Sequence, residues 1–163
     1  MSIAEEEDVN RIERVLELLN EGHNCAEAIA GVFADAVGLS EEFCIRAATG
    51  FGAGMARTGH VCGLASGAIL VLNLGIDRRR LDHVEGKEYV YSYVERLVSA
   101  VRTSHGSILC PEILGADLTD PADLQRILDE RLFETRCHTA AERIVELVEA
   151  LLDENPAADP TRT

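Results

Sequence analysis

The chain has 163 residues, with 15 Lys and Arg against 29 Asp and Glu, which gives a formal net charge of −14. This length fits one domain whose core is large enough to fold without disulfide staples. The acidic balance argues against binding to nucleic acid or to an anionic membrane surface, because both require Lys and Arg to neutralise phosphates. Five cysteines are too few, and odd in number, for a secreted disulfide scaffold.

The amino terminus is not typical of an export signal, since Met1–Ala4 is followed by four acidic residues rather than by basic and apolar regions. The most apolar segment, 61–74, contains Ser66 and Asn73 and is too short to span a bilayer. We therefore expect a cytoplasmic protein without membrane insertion, in a compartment where ordinary cysteines stay reduced.

Helical periodicity runs through nearly the whole chain, and no β-alternation of useful length interrupts it. Apolar stripes and the residues that bound them predict helices over about 9–21, 25–37, 40–48, 63–74, 89–105 and 120–155. Asn24 and Glu27 should form a capping box at the second helix, and a break near Arg131 would divide the last. Pro111 to Gly115 should form a single turn.

These elements predict an all-α fold, a compact single-domain bundle of five to seven helices over residues 1–155. A glycine-rich loop, 50–60, precedes the fourth helix, and residues 156–163 are expected to be a disordered tail. The fourth helix begins with small residues, Gly63 to Ala68, which let a neighbouring backbone come close. A second copy of the chain can also pack against such a face, so a homo-oligomer is an open alternative.

Three of the five cysteines fall where predicted helices begin. Cys25 follows the cap Asn24, Cys62 precedes the small-residue helix, and Cys110 precedes Pro111, which suits a first helical turn. Unpaired backbone N–H groups and the positive end of the helix dipole favour a thiolate at these positions. The sequence therefore predicts lowered cysteine pKa values, which would suit nucleophilic attack or metal binding.

The two other cysteines differ in helical phase. Cys137 shares an apolar stripe with Phe133 and Ala140 and should face the core, where it can meet Cys25 if their helices pack together. Cys44 is expected to be a small core residue or a partly exposed free thiol. For any single cysteine, mere packing is an equally good interpretation, because free Cys is among the most buried residue types.

Histidines beside the cysteines are further candidates. His60 and His23 each lie two residues before a helix-start cysteine, so either could deprotonate a thiol or complete a metal site. A solvated loop position is the alternative interpretation for both. His138 directly follows Cys137 but is expected on a different helical face.

Glycines could let a bound group approach the backbone closely. Gly52 and Gly54 lie in the loop and Gly63 at the helix start, although a packing or turn role is favoured over dinucleotide binding because no strand precedes them. The chain has no Cys-x-x-Cys pair and no zinc-ribbon or ferredoxin spacing, so the fold must assemble any metal site from distant cysteines. The basic run 78–80 is interpreted as a solvated cluster.

Several short segments occur in one order along most of the chain. They are Asn24-Cys25-Ala26, Gly50-Phe51-Gly52, Gly59-His60-Val61-Cys62-Gly63 with Gly67-Ala68, Ser107-Ile108-Leu109-Cys110 with Leu114-Gly115-x-Asp117-Leu118, and a late Cys137. In this combination the chain resembles the C_GCAxxG_C_C family, small microbial proteins characterised by four cysteines. The resemblance extends from about Val9 to Leu152.

The resemblance implies redox activity and assigns the four family cysteines to Cys25, Cys62, Cys110 and Cys137. Cys44 falls outside the pattern. Leu64 stands where the family motif has Ala, so we expect a narrower space beside Cys62. Many members are described as encoded near transporter genes, which implies a functional link to a transporter.

Three functions remain open. In the first and favoured one, the four cysteines, with His60, carry out thiol–disulfide redox chemistry with an unknown redox partner or small molecule and no cofactor. In the second, the same four cysteines hold a metal ion or an iron–sulfur cluster. In the third, the chain is a non-catalytic helical interaction module whose cysteines only pack. Whether the protein is an enzyme, an oxidoreductase using cysteine thiols, is thus left open.

Overall fold

The computed structural model describes residues 10–155, and within this range the chain forms eight right-handed α-helices and no β-strand. The helices are α1 (Arg11–Asn20), α2 (Cys25–Val32), α3 (Glu41–Ala48), α4 (Gly63–Gly75), α5 (His83–His105), α6 (Cys110–Leu114), α7 (Pro121–Asp129) and α8 (His138–Glu154). The all-α class is confirmed. The expected five to seven helices become eight, because the turn at Pro111 is itself a helix and the last helical stretch is divided. The tail expected at 156–163 lies outside the described residues.

The start of α2 follows from its capping residues. The side chain of Asn24 accepts hydrogen bonds from the N–H groups of Ala26 and Glu27, both at 3.0 Å, and the Asn24 N–H donates to Glu27 Oε2 at 2.8 Å. The predicted capping box is confirmed. The predicted end near Val37 is wrong, because the regular helix ends at Val32 and a series of turns with mixed hydrogen-bond spacings follows as far as Leu39.

The main hydrophobic core lies between α2 and α4, with α1, α5 and α8 packed around them. The small residues predicted to permit close packing do so: a methyl group added at Gly67 would lie 2.8 Å from the carbonyl oxygen of Ala26. Even α4, the most apolar helix, does not qualify as a membrane span, and no other helix between residues 10 and 155 is long and apolar enough to cross a bilayer.

The predicted break near Arg131 is confirmed, since this residue has a φ angle of +52°. A π-helical turn, Phe133–Cys137, then leads into α8. A π turn holds one more residue than an α turn, so it shifts the helical phase of the residues that precede α8. Phe133 is accordingly 43% exposed rather than in the core, and Cys137 is half-buried.

The glycine-rich loop is a compact left-handed structure. In the segment Gly52–Arg57, the five consecutive residues from Ala53 onwards have φ angles of 52°, 67°, 61°, 54° and 65°. Only one of the five, Gly54, lacks a Cβ, and each other residue costs about 1–2 kcal/mol in this conformation. We call this segment the left-handed turn. Such strain persists only where surrounding contacts over-determine the backbone, and it concentrates at functional sites.

Replacing Ala56 by Gly should therefore stabilise the protein, by about 1 kcal/mol in the free energy of unfolding, because glycine adopts positive φ without strain. Ala56 is exposed, so no packing is lost. The matched control is Ala47→Gly, at an exposed position of right-handed α3, where glycine should destabilise by about 0.5–1 kcal/mol. Urea denaturation of both variants checks the prediction, and an equal loss in both would contradict it.

Candidate four-cysteine site

A cavity of about 480 Å³ lies where α2, α6, the π turn and the start of α8 meet. Its wall contains four of the five cysteines: Cys25, Cys62, Cys110 and Cys137. The remaining one, Cys44, is 1% exposed and packs among alanines of α2 and α3 in a separate cluster. Cys44 is therefore the small core residue that its sequence context suggested. We call the shared space the four-cysteine cavity.

Two of the cysteines are brought together by a short antiparallel pairing of backbone. The N–H of Cys62 donates to Ile108 O, and the N–H of Cys110 donates to His60 O, both at 2.8 Å. These bonds flank a single β-bridge between Val61 and Leu109. Since side chains alternate across extended backbone, Cys62 and Cys110 point to the face opposite Val61 and Leu109. The pairing thus directs both thiols into the cavity.

The sulfur of Cys25 is surrounded by backbone N–H groups. The N–H of Ala53, the first positive-φ residue of the left-handed turn, donates to it at 3.5 Å, and the N–H groups of Ala26 and Gly63 act to lower its pKa. A methyl group at Gly63 would overlap this sulfur. The start of α4 therefore packs directly against Cys25, and only glycine leaves room for it.

The other two glycines singled out from the sequence are close-packing positions as well. A methyl group at Gly54 would lie 2.7 Å from Cβ of Cys110 and 3.3 Å from its sulfur, and one at Gly52 would overlap the side chain of Asn24. Gly52, Gly54 and Gly63 thus let the left-handed turn and α4 close over the cysteines. Contacts with protein groups account for all three.

The predicted lowering of the thiol pKa values at the helix starts is wrong. Each of these three cysteines does begin or precede its helix, yet burial raises the pKa of both Cys25 and Cys62. Burial, together with negative charge on Cys25, raises the pKa of Cys110 to about 11 and that of Cys137 to about 12. The N–H groups at a helix start act in the predicted direction, but the loss of hydration outweighs them.

The histidines are arranged differently from the sequence-based expectation. His23 and His138 both line the four-cysteine cavity. His138 therefore contributes to the wall beside Cys137, although consecutive helical residues point in directions about 100° apart. His23 also lies 3.5 Å from Glu27 Oε2. The side chain of His60 is exposed, bonds to Thr58 O at 2.8 Å and does not line the cavity.

Arg57 is a cavity residue that the sequence reasoning missed, as no local motif marks it. It lies at the end of the left-handed turn, whose conformation cannot be read from a run of glycine and alanine. Leu64, expected to narrow the space beside Cys62, is fully buried in the main core and does not line the cavity.

The metal-ligand alternative finds no preformed site in the described part of the chain. Between residues 10 and 155 no group of three Cys, His, Asp or Glu side chains is placed so that it could hold a metal ion. The four thiols nevertheless lie close enough to interact electrostatically, because negative charge on Cys25, Cys110 and Cys137 raises the pKa of Cys62. Binding of one ion by all four would require the sulfurs to move together.

Comparison with protein families gives a match over residues 23–151, to the family described as "Putative redox-active protein (C_GCAxxG_C_C)". The chain belongs to this family. The resemblance inferred from the sequence is thereby confirmed, and the four cysteines of the cavity all fall within the matched range. An uncharacterised protein of Archaeoglobus fulgidus is 28% identical over 141 residues, which covers 82% of this chain and 87% of the relative. No solved structure matches the chain.

Proposed function

We propose that this member of the C_GCAxxG_C_C family carries out thiol–disulfide exchange at the four-cysteine cavity. The observation that supports this proposal is the convergence of Cys25, Cys62, Cys110 and Cys137 on a single cavity, which all four line. Packing alone does not require thiols from four separate elements to share a cavity, whereas formation of a disulfide requires two of them to lie close together. The family description is consistent with such chemistry.

The exchange proceeds in two steps. The thiolate of Cys25 or Cys137, the two half-buried cysteines, attacks the sulfur–sulfur bond of an organic or protein disulfide. A mixed disulfide forms and one partner thiolate leaves. A second cavity cysteine then attacks the protein sulfur, which closes an internal disulfide and releases the second partner thiolate. The protein dithiol loses two electrons, the partner disulfide gains them, and two thiol protons are released.

The raised thiol pKa values mean that the resting cysteines are neutral, so each attack needs a proton acceptor. His23 and His138 line the cavity and are the candidates for this role. We do not assign it to His60, whose side chain points to Thr58 instead. A reducing cytoplasm, in which other thiols return the disulfide to the dithiol, is the setting we propose.

Metal binding by the same cysteines is a second candidate. Negative charge on neighbouring cysteines raises the pKa of Cys62 and of Cys137. A bound cation would offset this repulsion among thiolates, which favours metal binding. A cation would then deprotonate the ligands on binding, and soft thiolates would select zinc or iron.

Treatment of the reduced protein with a neutral disulfide, 4,4′-dithiodipyridine, should produce an internal disulfide among the four cavity cysteines. We expect release of two equivalents of pyridinethione per disulfide formed and Cys44 recovered as a free thiol, because it is buried in a separate cluster. Peptide mass spectrometry after the reaction identifies the pair.

A Cys44→Ala variant serves as the matched control and should react identically. Mixed disulfides that never resolve internally, or exclusive reaction at Cys44, would overturn the proposal. Elemental analysis and a visible spectrum after anaerobic purification test the second candidate: stoichiometric zinc or iron lost from a Cys62→Ser variant would favour it over thiol exchange.

A further inference from the structure

Arg57 differs from most arginines of this acidic chain. Arg11 and Arg96, for example, pair with Asp35 and Glu154 at 2.7 Å. The side chain of Arg57 forms no hydrogen bond or ion pair with any residue between 10 and 155, and among these residues it is the one arginine or lysine in the wall of the four-cysteine cavity. A free cation at a cavity mouth, in a chain of net charge −14, is a local attraction for an anion.

The position of Arg57 is set by strained backbone. Its φ angle is +65°, and it ends the left-handed turn, which Gly54 holds against Cys110. The hydroxyl of Thr58 donates to Met55 O at 2.7 Å and closes the turn. Arg57 is exposed and lines the same cavity as Cys110 and Cys137, so its side chain forms a solvent-accessible part of the cavity wall.

The rest of the cavity wall is mainly apolar. Leu118 and Ile127 are buried on it, and Leu128 and Phe133, which also line it, are 67% and 43% exposed. A volume of about 480 Å³ is within the range of pockets that hold small organic molecules. Glu134 is the one carboxylate of the wall, and it pairs with Arg131 at 3.3 Å, outside the lining residues. A mainly apolar wall whose unpaired charge is Arg57 suits a molecule with an apolar body and a negative group.

We infer that Arg57 is the binding residue for the negative group of a small, largely apolar organic anion that occupies the four-cysteine cavity. The inference rests on the proposed thiol–disulfide function, for which it names the substrate class: an organic disulfide that carries a carboxylate or similar anionic group. The anion lies on Arg57, the apolar part contacts Ile127 and Phe133, and the sulfur–sulfur bond faces the cysteines. The exchange then follows the two steps given above, with both halves of the substrate released as thiols.

The test compares two aromatic disulfides, anionic 5,5′-dithiobis(2-nitrobenzoate) and neutral 4,4′-dithiodipyridine, in stopped-flow experiments at low salt. In a Cys44→Ala background, Arg57→Gln should slow the reaction with the anionic reagent about fivefold, the effect of losing one partly exposed ion pair. The reaction with the neutral reagent should change less than twofold. Arg57→Lys should retain most of the rate with the anionic reagent.

Arg80→Gln is the matched control, because it removes the same charge from an exposed position outside the cavity. An equal loss in this variant, an equal slowing of both reagents by Arg57→Gln, or no effect at all would overturn the inference while leaving thiol exchange intact. If the cavity thiols react with neither reagent, the proposed function fails. Calorimetric binding of unreactive 2-nitrobenzoate then tests Arg57 separately: binding that Arg57→Gln weakens about fivefold supports the anion site, and binding that it leaves unchanged overturns it.

Discussion

At pH 8 the thiol of Cys110 should be alkylated more than about a hundredfold more slowly than a cysteine in an unfolded peptide. Burial, together with negative charge on Cys25 and Asp117, raises the pKa of Cys110 to about 11. Because only the thiolate reacts, the reactive fraction at pH 8 is roughly a thousandth, against about a quarter for a free thiol with a pKa of about 8.5.

The rate should rise about tenfold per pH unit and level off near pH 11, while the rate for Cys137, with a pKa of about 12, continues to rise. Labelling with iodoacetamide over a pH series, read by peptide mass spectrometry, gives each profile, and the chain unfolded in urea is the control. Burial also slows the approach of iodoacetamide to the thiol at every pH. The midpoint of the pH profile, rather than the absolute rate, therefore tests the pKa. A midpoint at or below about 8.5 for Cys110 would mean that the helix start dominates after all.

The raised thiol pKa values also make the folded state less stable at high pH. Above about pH 8.5 the unfolded chain releases thiol protons that the folded chain keeps, so the free energy of unfolding falls as the pH rises. This loss continues towards pH 11 for Cys110 and pH 12 for Cys137. Below about pH 8.5 both states are protonated and the stability is fully retained. Circular dichroism at each pH therefore accompanies the labelling, and only folded samples are compared.

Replacing Gly67 by Ala should lower the free energy of unfolding by about 2–3 kcal/mol, a large part of the stability of a small domain. The new methyl group would lie 2.8 Å from the carbonyl oxygen and 3.0 Å from Cα of Ala26. Both atoms belong to the backbone of α2, which cannot turn aside as a flexible side chain can. The two central helices would have to separate, and packing on both sides of their contact would be lost.

Gly50→Ala is the matched control, because a methyl group there would meet no atom within 4 Å and its φ is not in the positive range. This change should be neutral or slightly stabilising. Urea denaturation followed by circular dichroism gives both values. A loss below about 0.5 kcal/mol for Gly67→Ala, similar to that of a surface substitution, would show that α2 and α4 adjust to the methyl group without cost.

Local patterns were sufficient for most of the helices. Asn24 and Glu27 cap α2 as predicted because a capping box depends only on residues three apart. The cap at Asp120 before Pro121 and the break at Arg131 follow from equally local signals. The end of α2 was missed, because the turns after Val32 depend on where the neighbouring helices place Phe33, which is 1% exposed.

The site was only partly predictable from the sequence, because part of it depends on contacts between residues far apart in the chain. That Cys25, Cys62 and Cys110 stand at helix starts could be seen from their neighbours in sequence, and family resemblance separated Cys44 from the other four. The direction of the pKa shifts could not be predicted, because hydration depends on all the groups that surround a sulfur in space. That His23 and His138 line the cavity while His60 does not could not be read from their spacing to the cysteines in sequence.

The sequence by itself thus determined the all-helical class, the caps, the family and the four cysteines, since each of these depends on residue types at short and regular spacings. Tertiary structure alone decided that the four sulfurs share one cavity, that a left-handed turn carries Arg57 to its mouth, and that the thiols stay protonated. These properties depend on contacts between residues far apart in the chain and on the water that such contacts exclude, and no local spacing encodes either.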